Sequence, residues 1–148
     1  MPIVESSVTI ENVSIEQTWA VVRDFESYPK TMRDVVSVRC YNPTADTVDS
    51  AWEVLLNGSI LTWTERDWFE PDYRIRFEQL DGDLEIWTGT WSLRRAGERD
   101  EHVVVDLRVH FDIGIPSLAD LLNPIGIASI KSNSEQMLQA IKLQSASP

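Results

Sequence analysis

The decapeptide LTWTERDWFE, Leu61 to Glu70, holds the densest set of groups able to do chemistry in this 148-residue chain. Its Trp, Thr and Phe content reads as a β-strand, yet Glu65, Arg66 and Asp67 stand in its middle. Successive strand side chains point to opposite faces. Either Leu61, Trp63, Glu65 and Asp67 share the inner face, or Thr62, Thr64, Arg66 and Trp68 do. The first phase buries two carboxylates, which is costly without partners. The second buries a guanidinium and leaves Leu61 and Trp63 outside. A bulge near Trp63 would reconcile the two halves. We favour the second phase, which sets Glu65 and Asp67 outside where Arg74, Arg76 and Arg108 can meet them. An arginine facing an apolar cavity offers five donors in a rigid fork and needs a carboxylate, water or a ligand oxygen opposite it. The plainer reading of Arg66 is an ion pair with Glu53 or Glu78 at a strand edge.

Other reactive groups are few. His110 shares strand parity with Asp106 and Asp112 and should face solvent, and His102 sits at a loop edge. No Ser-His-Asp or Cys-His arrangement is visible. Cys40 is the only cysteine, so no internal disulfide can form, in keeping with a reducing compartment. Two histidines and one cysteine give no metal-ligand spacing, and neither a metal nor a cofactor is expected. The net charge is −11, from 24 acidic and 13 basic residues. Such a surface repels phosphate backbones and anionic headgroups, so nucleic acid is not an expected partner. No apolar run is long enough to span a bilayer. The first residues lack the basic and then apolar blocks of a signal peptide, and a cytoplasmic location is expected.

The elements that must position these groups follow from periodicity. Ile3 to Glu11 reads as a strand. Ser14 with Gln17 three residues on is a capping-box pattern, and Ile15, Trp19, Val22 and Phe25 mark one apolar helix face. Tyr28-Pro29 stops this helix, with a short turn of helix through Met32. Six strands follow: Val35 to Tyr41, Val48 to Leu56, Ile60 to Phe69, Tyr73 to Leu80, Leu84 to Arg95 and His102 to Phe111. Asn57-Gly58 is a strong tight-hairpin signal. Trp52, Val54 and Leu56 alternate on one inner face, Tyr73, Ile75 and Phe77 on the next, and Val103 to Phe111 on the last. Asn123 is placed to cap and Pro124 to begin a long helix to about Gln144, with Ile127, Ile130, Met137, Leu138 and Ile141 as its apolar face. The sum is a single α+β domain over residues 1–148. Its sheet curves around a long helix and leaves a cavity between them. Six tryptophans suit either a Trp-rich core or a pocket for a flat, greasy molecule.

The FESYP end of the first helix, the WTER strand, the Gly82 turn, the WTGTWSL strand, VDLRVHFDIGIP and the final NSEQMLQAI together resemble the polyketide cyclase/aromatase and coenzyme-Q-binding-like proteins. These belong to the START and Bet v 1-like helix-grip superfamily. The resemblance covers nearly the whole chain and rests on aromatic and apolar positions. It implies a seven-stranded antiparallel sheet gripping the C-terminal helix, two short helices after strand 1, and a ligand between helix and sheet. It implies that Arg66 points inward to position a polyketide and polarise its carbonyls, with Thr64 beside it. It matches Tyr28, Trp91 and Gln136 to family positions, with Asn133 in place of Gln136 if the alignment slips by one turn. A tyrosine that the aromatase/cyclases often carry is replaced by Val35, which moves proton transfer to Tyr28, Tyr73 or water.

Cyclising a poly-β-ketone requires a folded chain, donors at the developing alkoxide, and an acid or base for loss of water. In that reading Arg66, Tyr28 and Thr64 are the catalytic candidates. Trp52, Val54, Thr62, Trp68, Tyr73, Phe77, Trp87, Trp91, Gln136 and Asn133 would contact the ligand. An acyl carrier protein or a second copy of the chain would be a further partner. The rival readings are a non-catalytic carrier of a quinone or lipid, and a protein-interaction module like the ribosome-association toxins.

Overall fold

The structure is a computed structural model that describes residues 2–112 and 119–146, with side chains described outside 119–123. Seven strands form one antiparallel sheet. They are β1 (Ile3–Ile10), β2 (Val35–Tyr41), β3 (Thr47–Leu56), β4 (Ser59–Glu70), β5 (Arg74–Gly82), β6 (Ile86–Ala96) and β7 (His102–Asp112). Their order across the sheet is β1-β7-β6-β5-β4-β3-β2. Strands β2 to β7 are therefore a meander, and β1 closes onto the last strand. Between β1 and β2 lie α1 (Ile15–Arg23), a 3-10 turn (Phe25–Ser27) and α2 (Tyr28–Thr31). The long helix α3 (Ala119–Ala146) packs chiefly on β1 and also meets α1, β3 and β7.

Local chemistry explains these boundaries. Ser14 caps α1, its hydroxyl accepting from the Gln17 backbone N–H at 3.1 Å. The return half of the expected capping box is not made. The Gln17 side-chain amide instead donates to the Ser145 carbonyl at 2.6 Å and ties α1 to the end of α3. Asn57 and Gly58 both have positive φ, as the tight turn between β3 and β4 requires. Asp72 and Tyr73 also have positive φ, so β5 begins at Arg74 and Tyr73 belongs to the turn, not to the inner face expected for it. The helix start expected at Asn123-Pro124 is also corrected. Helix α3 already runs from Ala119 with Pro124 inside it, so the helix passes through a proline that cannot donate to the carbonyl four residues back.

The core lies between α3 and the concave face of the sheet. Ile130, Met137, Leu138 and Ile141 of α3 are buried in it, while Ile127, expected with them, is exposed. Gly89 of β6 stands opposite Phe77 of β5 and Val109 of β7. A Cβ there would lie 2.6 Å from Phe77 Cζ and closer still to the Arg108 carbonyl oxygen. Glycine thus lets the Phe77 ring lie against the sheet. Gly89→Ala should lower stability by about 1–3 kcal/mol through overpacking, read as a lower urea midpoint at unchanged slope. An unchanged midpoint would show that the ring has room to move.

Candidate ligand cavity and its buried carboxyl pair

Strand β4 takes the phase opposite to the one expected. Trp63, Glu65 and Asp67 are buried, whereas Arg66 and Thr62 are exposed. The pairing of β3 with β4 is continuous from Thr47↔Trp68 to Leu56↔Ser59. The irregularity between Thr64 and Glu65 in the pairing with β5 leaves the alternation of β4 intact. Apolar area decides the phase. The inward set carries Leu61, Trp63 and Phe69 against Ile60 and Trp68 in the other set, and a buried large side chain is worth roughly 1.5–3 kcal/mol.

The residues of the other set accordingly lie on the convex face. Arg66 is 44% exposed and grips Asp49, with Nε 2.8 Å from Oδ1 and Nη2 3.2 Å from Oδ2. That fork holds the Asp49 carboxyl below its usual range. Thr62 and Thr64 hydroxyls reach Asp83 and the Asp81 carbonyl, each at 3.4 Å. Trp68 lies under the Arg76 guanidinium, 3.8 Å from its ring centroid. None of these four lines the cavity. Tyr28 is buried, but its hydroxyl donates to the Val22 carbonyl. Burial and the nearby Asp67 and Glu65 push its pKa well above the ordinary value. Tyr73 bonds Glu16 at 3.3 Å on the outside, and Gln136 is exposed, bonded to Arg33 and Ser132.

The cavity between sheet and α3 is walled by Trp52, Val54, Trp63, Phe77, Trp87 and Trp91, with Leu107 and Val109 from β7 and Asn133, Ser134 and Met137 from α3. Five of the expected contact residues on the strands and Asn133 on the helix therefore do converge. Trp52 and Trp63 are near-parallel at 5.9 Å, and Trp63 meets Trp87 at 4.9 Å. The open space is about 40 Å³, room for a few waters, so a ring system enters only if the walls part.

One acidic group shares this wall. Glu65 lines the cavity and is 4% exposed, with Asp67 beside it fully buried. Trp63 Nε1 donates to Glu65 Oε1 at 2.7 Å. Ser50 Oγ donates to Asp67 Oδ2 at 2.6 Å and itself accepts from Trp52 Nε1 at 2.7 Å. Among the described residues no cation pairs with either carboxyl. Burial, then the charge of Asp67, raises the Glu65 pKa well above its ordinary value, and burial raises that of Asp67. The two carboxyls are near enough for each to raise or lower the other's pKa, and a proton held between them would relieve their repulsion. Asp67 Oδ1 has no hydrogen-bond partner among the described residues. The signal in the sequence is the Glu-x-Asp spacing in phase with Trp63. It argues against an inward phase only while both acids are counted as charged.

The cavity, its aromatic walls and the curved sheet around α3 invite comparison with known proteins. Residues 12–138 match the family described as polyketide cyclase / dehydrase and lipid transport. The chain belongs to that family. Among solved structures, TTHA0849 from Thermus thermophilus is similar at 22% identity, with 97% of each chain covered and a TM-score of 0.89. The ZhuI aromatase/cyclase from a Streptomyces species shares 20% identity over 97% of this chain and 93% of its own, with a TM-score of 0.84. A START superfamily protein from Mycobacterium smegmatis shares 12% identity over 95% and 97%, with a TM-score of 0.77. These likenesses establish the START and Bet v 1-like fold. A comparison with curated proteins finds no match. No helix among the described residues is long and apolar enough to cross a membrane.

Two outcomes separate the roles of the neighbours on β4. A carboxyl whose folded pKa is raised keeps a proton that the unfolded chain has lost, so its contribution to stability falls as pH rises above the unfolded value. Glu65→Gln should flatten the pH dependence of unfolding above about pH 5, by up to about 1.4 kcal/mol per pH unit for the one proton. Identical slopes in both proteins would show that Glu65 is ionised when folded. Arg66→Ala should cost on the order of 1–2 kcal/mol, since it strips Asp49 of two charge-assisted bonds, and should leave ligand affinity unchanged. Lost affinity in a fully folded variant would return Arg66 to the site.

Proposed function

We propose that this protein binds a small hydrophobic or aromatic molecule between sheet and α3 and acts on it as a polyketide cyclase/aromatase. The observation that carries the reading is a buried carboxyl group, Glu65, set into a wall of tryptophans. Membership of the polyketide cyclase / dehydrase and lipid transport family supports it. The structural likeness to the ZhuI aromatase/cyclase supports it as well.

In this reading the walls fold the chain so that an enol carbon meets a ketone, an orientation effect. Glu65 takes the role expected of Arg66. As the carbon–carbon bond forms, the ketone oxygen takes the Glu65 proton. The Glu65 carboxylate then recovers a proton from the enol O–H, so the acid is restored. The hydroxyl formed leaves as water with a neighbouring hydrogen, which yields the ring double bond. Asn133, whose side-chain nitrogen is buried at the cavity without a partner, is placed to hold a second ligand oxygen.

The carrier of a quinone or lipid remains the second reading. It is favoured by a cavity wall that holds no cation among the described residues. The two separate in one experiment. The gently purified protein is weighed by native mass spectrometry and extracted, then given a synthetic poly-β-ketone. The enzyme reading expects cyclised, dehydrated product from the wild type and a drop of at least about tenfold in Glu65→Gln, in line with general acid catalysis. A co-purified quinone or lipid at one per chain, with no turnover, would establish the carrier.

A further inference from the structure

We infer that Glu65 and Asp67 act as a one-proton carboxyl pair that selects ligands by charge: the cavity takes a neutral oxygen acceptor, a ketone or quinone carbonyl, and rejects carboxylates of the same shape. The inference rests on the aromatic cavity of the proposed function, and deepens it by naming what the polar corner recognises.

The geometry carries the argument. Glu65 and Asp67 are two residues apart on β4, so their side chains leave the same face of the strand. Both are buried. Glu65 reaches the cavity while Asp67 stands behind it, held by Ser50, which is held in turn by Trp52. Among the described residues, the groups that face the pair are neutral or themselves acidic. Tyr28 of α2 is neutral and bonded to Val22, and Cys40 of β2 is a thiol whose pKa burial raises to about 12. Asp49 of β3 adds negative charge and is already neutralised by Arg66 on the far face. The inner faces of β5 and β6 supply Phe77, Trp87 and Trp91, and α3 supplies Asn133, Ser134 and Met137. Two anions in that setting cannot both persist, so one proton stays between them.

A second observation points to the ligand. Asn133 Nδ2 is buried without a hydrogen-bond partner, while the Trp87 indole is turned toward the Glu65 carboxyl. Both residues line the cavity beside Glu65. One unpartnered amide donor and one acid proton make a corner that wants lone pairs. It also repels negative charge, because the pair already carries one. A carbonyl oxygen meets both conditions, and a carboxylate meets only the first.

The experiment is calorimetric titration at neutral pH with two aromatic probes of similar shape, the ketone 2-acetylnaphthalene and the anion 2-naphthoate. The wild type should bind the ketone at least tenfold more tightly. Glu65→Gln, which keeps a donor, should retain that preference, and Glu65→Leu, which has none, should lose most of its ketone affinity. Equal affinities for the two probes, or tighter binding of the anion, would overturn the charge selection while leaving an aromatic pocket in place. If Glu65→Leu does not fold, the wild-type comparison decides alone. Absence of heat with either probe, together with unchanged tryptophan emission, would overturn the pocket and with it both proposals.

Discussion

Two carboxyl groups lie side by side on the inner face of β4 with no cation next to them among the described residues, and much of the interior is arranged around that fact. Left ionised, the pair would carry an uncompensated charge into a low-dielectric core at a cost of several kcal/mol. Burial raises the pKa of both carboxyls, which favours a proton on the pair and the loss of one charge. The indole of Trp63 and the Ser50 hydroxyl, backed by the Trp52 indole, disperse the other. The same tryptophans wall the cavity. The groups that make the acid tolerable are thus the groups that shape the space in front of it.

This arrangement depends on the sheet holding its register. Trp52 and Trp63 stack because β3 and β4 pair them directly, and Ser50 stands across from Glu65 in the same ladder. A slip of one residue would turn every one of these side chains to solvent. The Asn57-Gly58 turn sets the start of that ladder, and Arg66 gripping Asp49 from the convex face fastens the other end. Arg66 thus stabilises the register without facing the cavity. On the helix side, Met137 and Ser134 close the space, while Gln17 holds the end of α3 through the Ser145 carbonyl.

The fold was legible in the sequence because its signals were redundant. Alternation in β3 and β7, the Asn57-Gly58 turn, the Ser14 cap and the α3 stripe each pointed to the same architecture, and misplaced ends at Tyr73 and Pro124 did not alter it. Much of the cavity was legible for the same reason. Trp52, Val54, Phe77, Trp87 and Trp91 sit on strands with clear inner faces, and Asn133 falls within the helix stripe. Strand β4 was different, because each phase buried something charged and the choice turned on which charge. The resemblance to proteins with an inward arginine pulled toward Arg66. Leu61, Trp63 and Phe69 pulled the other way, and a carboxylic acid that keeps its proton costs far less than a carboxylate. Protonation state is a property of the assembled environment, so it could not be read from the letters of β4 alone.

The account rests on where that proton sits. Carbon-detected NMR of the side-chain carboxyls, assigned through Glu65→Gln and Asp67→Asn and followed across pH, observes it directly. The Glu65 carboxyl should remain protonated at neutral pH, with the Asp67 resonance shifting in the same steps as one coupled pair. Two independent titrations in the ordinary range near pH ~4 would mean that both acids are solvated and ionised, and would contradict the inward phase of β4 and the site built upon it.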